Sequence, residues 1–257
     1  MSSTTTSAGC KVSSAEVFAA MRDHRVILEV EPVCADVGSA PVFYFECLGR
    51  ILRLDGECVA PDNFLPALER SGLIRVFDDY IVNRVIQSLE HFPELTLGVN
   101  ISAISAAPDA LWDGVFEELE RRPQIAARLV IEITETARLE WERGRQFVNR
   151  LKQLGCQIAI DDFGVSYGVE TAIQIKSPDI IKIDRSILQG IREGRYPSDA
   201  LKKMISLASR LAPQVVVEGV ECEADYDLAR DGGAPWMQGF LFSRDSSRPD
   251  SGLGRQI

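Results

Sequence analysis

The sequence predicts an α/β domain on a parallel sheet, of the size of a barrel, and three observations carry that expectation. β-branched apolar runs alternate with amphipathic stretches along nearly the whole chain, the order that lays helices over a parallel sheet. A polar residue stands near the end of nearly every strand-like run: Glu46, Asn100, Glu132, Asp161 with Asp162, Lys182, Glu218 and Gln238. The 257 residues, 46% of them hydrophobic and 26% charged, suit one full core, and barrels of about this length are common. No sustained linker or repeat interrupts the pattern. One domain over residues 15–245 is therefore expected, after a Ser/Thr-rich disordered leader at 1–14 and before a polar tail at 246–257.

In order, residues 15–22 form a short helix. Residues 26–33 and 42–50 form an antiparallel hairpin about the turn-like Asp36-Val37-Gly38-Ser39. Pro61 starts a helix that ends at Gly72. Residues 73–92 carry a core-facing stripe of Ile74, Phe77, Tyr80, Ile81, Val85, Ile86 and Leu89. A strand follows at 95–102, a helix at 108–122, and a strand at 129–133. An amphipathic helix at 139–154 ends at Gly155. Cys156 to Gly168 is a buried strand running into two adjacent aspartates and a short loop. A helix at 169–175, a strand at 180–184, a helix at 197–211, a strand at 215–217, a helix at 224–230 and a last strand at 236–242 complete the pattern.

Composition narrows the function. A net charge of -10 argues against binding nucleic acid polymers or anionic membrane, and no run reaches membrane-spanning length. The six cysteines form no CxxC pair and there are two histidines, which argues against zinc. Scattered cysteines suggest reduced thiols and a cytoplasmic protein.

The polar series is the chemical signal. Adjacent Asp161 and Asp162 repel, and burying them unpaired is costly; a divalent metal relieves both problems. Taken alone, the pair also fits solvated helix caps, and a lone Glu46 fits an exposed strand edge. A whole series on consecutive strands does not, because the carboxyl ends of barrel strands converge on one mouth. An all-oxygen set suits Mg²⁺ or Mn²⁺, and adjacent aspartates suggest two ions. Lys182 among the acids holds a phosphate or the attacking water, or balances charge.

These motifs, in order, resemble the EAL-type cyclic-di-GMP phosphodiesterases. The signature Glu-Ala-Leu is Glu46-Cys47-Leu48, with Arg50 after it. Val-Asn-x-Ser is residues 99–102, Glu-x-Thr-Glu is 132–135, and Asp-Asp-Phe-Gly is 161–164. Lys-Ile-Asp is 182–184, Glu-Gly-Val-Glu is 218–221, and Gln-Gly-Phe is 238–240. The resemblance implies a modified TIM (β/α)8 barrel with one antiparallel strand near the start, which fits the hairpin. It implies metal-dependent hydrolysis of cyclic-di-GMP to linear pGpG. Glu46, Asn100, Glu132, Asp161 and Asp162 would hold two ions, Mg²⁺ or Mn²⁺, with Ca²⁺ inhibitory. Lys182, Glu218, Glu135 and Asp162 would serve catalysis, and Arg50, Gln238 and Glu221 would contact the dinucleotide. A homodimer and a regulatory protein partner stay open.

The chain departs from the family pattern at three places. The loop after Gly164 reads Val165-Ser166-Tyr167-Gly168 in place of Thr-Gly-Tyr-Ser. Glu31-Pro32 replaces the usual Gln-Pro, and Cys47 replaces the signature alanine. The altered loop keeps a second reading alive: a cyclic-di-GMP receptor or protein-interaction module without turnover. An enolase-like Mg²⁺ barrel accounts for the acids and lysine but not for the ordered motifs. A kinase reading of Asp162-Phe163-Gly164 fails for want of a glycine-rich phosphate loop and a His-Arg-Asp loop.

Overall fold

The computed structural model describes residues 11–37, 41–134, 139–165 and 168–243. The leader up to residue 10, Gly38 with Ser39, Glu135, Ser166 with Tyr167, and the tail from residue 244 lie outside the described residues, and so do the expectations that fall on them.

The first helix, α1 (Ser14–Arg22), opens with a capping box, in which Ser13 Oγ accepts from the Glu16 N–H and the Glu16 carboxylate accepts from the Ser13 N–H. Strands β1 (Val26–Cys34) and β2 (Val42–Leu52) form the expected antiparallel hairpin, in register from Val26 with Ile51 to Cys34 with Val42. A two-residue strand, β3 (Cys58–Val59), extends β2. Two helices follow, α2 (Leu65–Arg70) and α3 (Ile74–His91), and then β4 (Leu97–Ser102). The alternation continues with α4 (Asp113–Arg121), α5 (Pro123–Ala126), β5 (Leu129–Thr134), α6 (Trp141–Leu154), β6 (Gln157–Phe163), α7 (Gly168–Ile175) and β7 (Ile180–Ile183). It ends with α8 (Ser186–Arg192), α9 (Ala200–Ala208), β8 (Gln214–Val217), α10 (Glu223–Gly232), β9 (Trp236–Met237) and α11 (Phe240–Ser243).

Strands β2, β4, β5, β6, β7, β8 and β9 run parallel in that spatial order. Strand β1 closes the ring, antiparallel to β2 on one side and to β9 on the other. This is the mixed eight-stranded barrel with its antiparallel strand near the start, and β3 lies outside the ring. The strand interiors are Val- and Ile-rich because both faces are buried. Inside the barrel, Val33, Tyr44, Val130, Ala159, Ile180 and Val216 pack together. The larger core lies between the strands and the surrounding helices, where α3 and α6 bury Phe77, Ile81, Val85, Phe147 and Leu151. Helix α6 stops where expected, at Gly155 with φ +102°.

Some expected elements are shorter or different. The last strand ends at Met237 instead of residue 242. Gly239 has φ +150°, and a Cβ there would lie 2.5 Å from Val220 backbone atoms, so the chain turns away and starts α11 at Phe240. The helix expected at 108–122 begins only at Asp113. The helix expected at 197–211 is confined to Ala200–Ala208. The helix after Pro61 is a short 3₁₀ turn (Pro61–Asn63) separated by Phe64 from α2. Helices α5 and α8 were not expected; both are short, and α8 starts from an Asp184 carboxylate that accepts the Ser186 N–H at 2.9 Å.

Helix α3 carries an acid in its buried face. Asp78 Oδ2 accepts from the Ser102 N–H (2.9 Å) and from Ser105 Oγ (2.5 Å), which ties α3 to the end of β4. Burial raises its pKa to about 7, against the opposing pull of those two hydrogen bonds. A folded value above the unfolded one means that Asp78 favours folding most at acid pH. That contribution falls as pH climbs from the unfolded value to about 7, and stays low above it. A shift of about three units corresponds to about 4 kcal/mol at most. Asp78→Asn keeps an acceptor and removes the charge. It should be more stable than wild type in urea melts at pH about 8 and nearly equal at pH about 4, close to the unfolded value, where little of the charge penalty has developed. A constant difference across that range would exclude the effect.

Candidate active site

Each parallel strand delivers its polar residue to one mouth. Glu46 comes from β2, Asn100 from β4, Glu132 from β5, Asp161 and Asp162 from β6, and Lys182 from β7. Glu218 and Gln238 are the residues just after β8 and β9. The centre of the cluster is Lys182 Nζ, fully buried. Four carboxylates surround it: Glu132 Oε2 at 2.7 Å, Glu218 Oε1 at 2.8 Å, Glu46 Oε2 at 2.9 Å and Asp161 Oδ1 at 3.4 Å. Glu46 is further held by Asn100 Nδ2 and Gln238 Nε2, each donating at 2.5 Å.

The two aspartates reach the same side by a backbone distortion. Consecutive strand residues ordinarily point to opposite faces. Here Asp162 has φ +53°, uncommon for a residue with a side chain, and the β6–β7 register shifts between Ile160 and Phe163. Ligand oxygens of Asp161, Asp162 and Glu218 consequently lie within 4.8 Å of one another. A strained conformation of this kind costs on the order of 1–3 kcal/mol and persists where the surroundings fix it.

The electrostatics show the cost of gathering these groups. Burial pushes Glu132 to about 8, against the Lys182 ammonium. Burial and the Asp161 charge lift Asp162 to about 7. Glu218 and Asp161 are raised for the same first reason, burial. Burial also acts on Glu46, but Lys182 and the hydrogen bonds from Gln238 and Asn100 overcome it and the net direction is down. Burial opposes the charge on Lys182, yet the surrounding carboxylates hold its pKa well above the ordinary value.

The cluster opens into a cavity of about 590 Å³, bounded also by Arg50, Asp184, Glu221 and Phe240. A family model described as "EAL domain" matches residues 14–245. The chain belongs to the EAL domain family. Among its relatives, the cyclic di-GMP phosphodiesterase NbdA of Pseudomonas aeruginosa is 29% identical over 235 residues, covering 89% of this chain and 30% of that protein. The cyclic di-GMP phosphodiesterase PdeF of Escherichia coli is 28% identical, covering 88% and 30%. The chain thus spans about a third of the length of these relatives. Among solved structures, a complex of the PaMucR phosphodiesterase with c-di-GMP superposes with TM-score 0.77 at 26% identity, covering 90% of this chain and 95% of that one. An EAL domain protein of Listeria monocytogenes shares the fold, with TM-score 0.77 at 24% identity.

In this EAL domain the expected site residues fall into three groups. Glu46, Asn100, Glu132, Asp161, Lys182, Glu218 and Gln238 converge, and Asp162 joins them beside Asp161 and Glu218. Arg50 and Glu221 stand on the cavity wall, away from Lys182: Arg50 Nε donates to Glu29 at 2.9 Å, and Glu221 accepts from Arg192 at 3.3 Å. Glu135 lies outside the described residues. The sequence pattern does not single out two further acids that stand electrostatically beside the cluster. Asp184 lines the cavity and raises Asp162 through its charge; its position two residues after Lys182, just past the end of β7, is the available signal. Glu31 lines the cavity opposite Glu46 in the β1–β2 register and was read only as a departure.

The donor set suits a hard divalent cation. Among the described residues Asn100 Oδ1 and Glu132 Oε1 are buried without a hydrogen-bond partner, and four carboxylates face a single ammonium, so further positive charge is accommodated. Oxygen-only ligands are what Mg²⁺ and Mn²⁺ select.

Proposed function

We propose that this EAL domain hydrolyses cyclic-di-GMP to linear pGpG with divalent metal ions. The observation that carries the reading is the convergence of the acidic series around Lys182 at the floor of a cavity large enough for a small ligand. The names of NbdA and PdeF, and the dinucleotide in the PaMucR complex, support the substrate class. Glu46, Asn100, Glu132, Asp161 and Asp162 would hold the ions, with Glu218 beside the aspartates. Two such ions would supply a nucleophile near neutral pH and offset charge on the phosphate.

The chain's own residues do the rest. Lys182 keeps its charge, and once bound ions take up the carboxylates around it, an N–H would be released toward the water or a phosphate oxygen. Arg50 can bring a cation to the second phosphate by exchanging Glu29 for it. Gln238 fixes Glu46 from the far side. Water adds to one phosphorus and one ester P–O bond breaks, so the ring opens and the other diester survives.

The test is to incubate purified protein with cyclic-di-GMP and Mg²⁺ or Mn²⁺ and follow pGpG. Binding without turnover would favour the receptor reading. Ca²⁺ should bind without supporting turnover, since its longer bonds and looser coordination misplace the attacking water. Equal rates with Ca²⁺ and Mg²⁺ would remove the metal from nucleophile generation. Among the described residues no helix is long and apolar enough to cross a membrane.

A further inference from the structure

Below the carboxylates, the apolar cluster inside the barrel includes a hydroxyl, that of Tyr44 on β2. Tyr44 is 1% exposed, and among the described residues its hydroxyl has no hydrogen-bond partner. It shares the inward face of β2 with Glu46, two residues on. Its ring packs against Gly98 on β4, and so does the Glu132 carboxylate. A Cβ at position 98 would lie 2.3 Å from Glu132 Oε1 and 2.6 Å from Tyr44 Cε2. No side chain larger than hydrogen fits, so Gly98 is what lets ring and carboxylate occupy one space. Glu132 Oε2 faces Lys182 at 2.7 Å, while Oε1 is buried and unpaired. Among the described residues the Tyr44 hydroxyl and Glu132 Oε1 are thus both unmatched, on a ring and a carboxylate that share one face of Gly98.

Leaving both unmade is costly, and a bond between them, direct or through a single buried water, would relieve both. We propose that Tyr44 is a positioning residue for the metal site: its O–H donates to Glu132 Oε1 and fixes how that carboxylate is presented at the mouth. Ligating carboxylates generally depend on such outer hydrogen bonds for their orientation. The proposal rests on reading this cluster as a divalent-ion site, and its test is therefore made on ion binding rather than on turnover.

Tyr44→Phe keeps the ring and removes only the hydroxyl. Mn²⁺ is titrated into the metal-free wild type and variant, with free Mn²⁺ followed by electron paramagnetic resonance and tyrosine environment by ultraviolet difference absorption. The variant should bind Mn²⁺ about tenfold more weakly, the scale on which outer-shell bonds to a ligand act. Its melting temperature without metal should stay near wild type. Wild type should give a tyrosine difference band on Mn²⁺ addition that the variant lacks. Equal affinity, or a band of equal size in both, overturns the proposal, as does a wild type that shows no band. Wild type that binds Mn²⁺ yet makes no pGpG overturns the hydrolase reading and leaves the role of Tyr44 standing. Gly98→Ala should weaken Mn²⁺ binding at least as much, because its Cβ displaces the same carboxylate.

Discussion

Asp161→Ala should lower pGpG production roughly 10³-fold, about 4 kcal/mol of transition-state stabilisation, while the metal-free protein keeps its fold. Asp161 belongs, with Glu218, to both groupings at the mouth. It faces Lys182 at 3.4 Å and lies with Asp162 and Glu218 in the tight carboxylate cluster. Losing it removes a ligand from the place where the two proposed ions would be closest. It also removes one of four carboxylates crowded on a single ammonium, so the melting temperature without metal should be unchanged or higher. Circular dichroism melting and a pGpG assay in Mn²⁺ read both halves. Activity within tenfold of wild type would exclude Asp161 as a ligand of the working ion.

Lys182→Met should be the most damaging single change to stability. Lys182 is wholly buried, and without it Glu46, Glu132, Asp161 and Glu218 face one another with no cation among them. Removing one partner of a buried ion pair costs about 3–5 kcal/mol. For a domain of this size that is on the order of 10 °C in melting temperature. Mn²⁺ should return part of the loss by restoring positive charge at the same carboxylates, and should do so more in the variant than in wild type. Thermal melts with and without Mn²⁺ decide it. A metal-free variant that melts with wild type would mean that Lys182 does not hold the acids together.

The barrel and most of the site were legible because both depend on strand order. Val- and Ile-rich runs announce strands buried on both faces, and a parallel barrel carries whatever ends those runs to one mouth. Glu46, Asn100, Glu132, Asp161, Lys182, Glu218 and Gln238 could therefore be placed together without knowing a distance. What stayed hidden depends on backbone detail or on contacts between distant elements. The left-handed conformation of Asp162 follows from a register shift that no local pattern encodes. The early end of the last strand comes from Gly239 pressing on Val220, nineteen residues earlier. Asp78 looks like any helix acid until α3 is laid against Ser102 and Ser105. Gly98 reads as a weak point in a strand, and its purpose appears only when Tyr44 and Glu132 arrive from the two neighbouring strands.

The single antiparallel strand has a kinetic consequence. Strand β1 pairs with β2 along a whole local hairpin, but among the described residues its backbone pairs with β9 only at Cys34 with Met237. Side chains reinforce that seam: Phe43 stacks on Trp236 at 4.6 Å, and Gln238 reaches Glu31 at 3.5 Å. A hairpin forms within microseconds, whereas joining strands some two hundred residues apart must first overcome a large loop-closure entropy. The seam is thus the last part of the ring to zip and the first to breathe. Amides of β9 should exchange with solvent deuterium sooner than those of β5 and β6, and a ligand bridging Gln238 and Glu46 should slow them by keeping the ring shut.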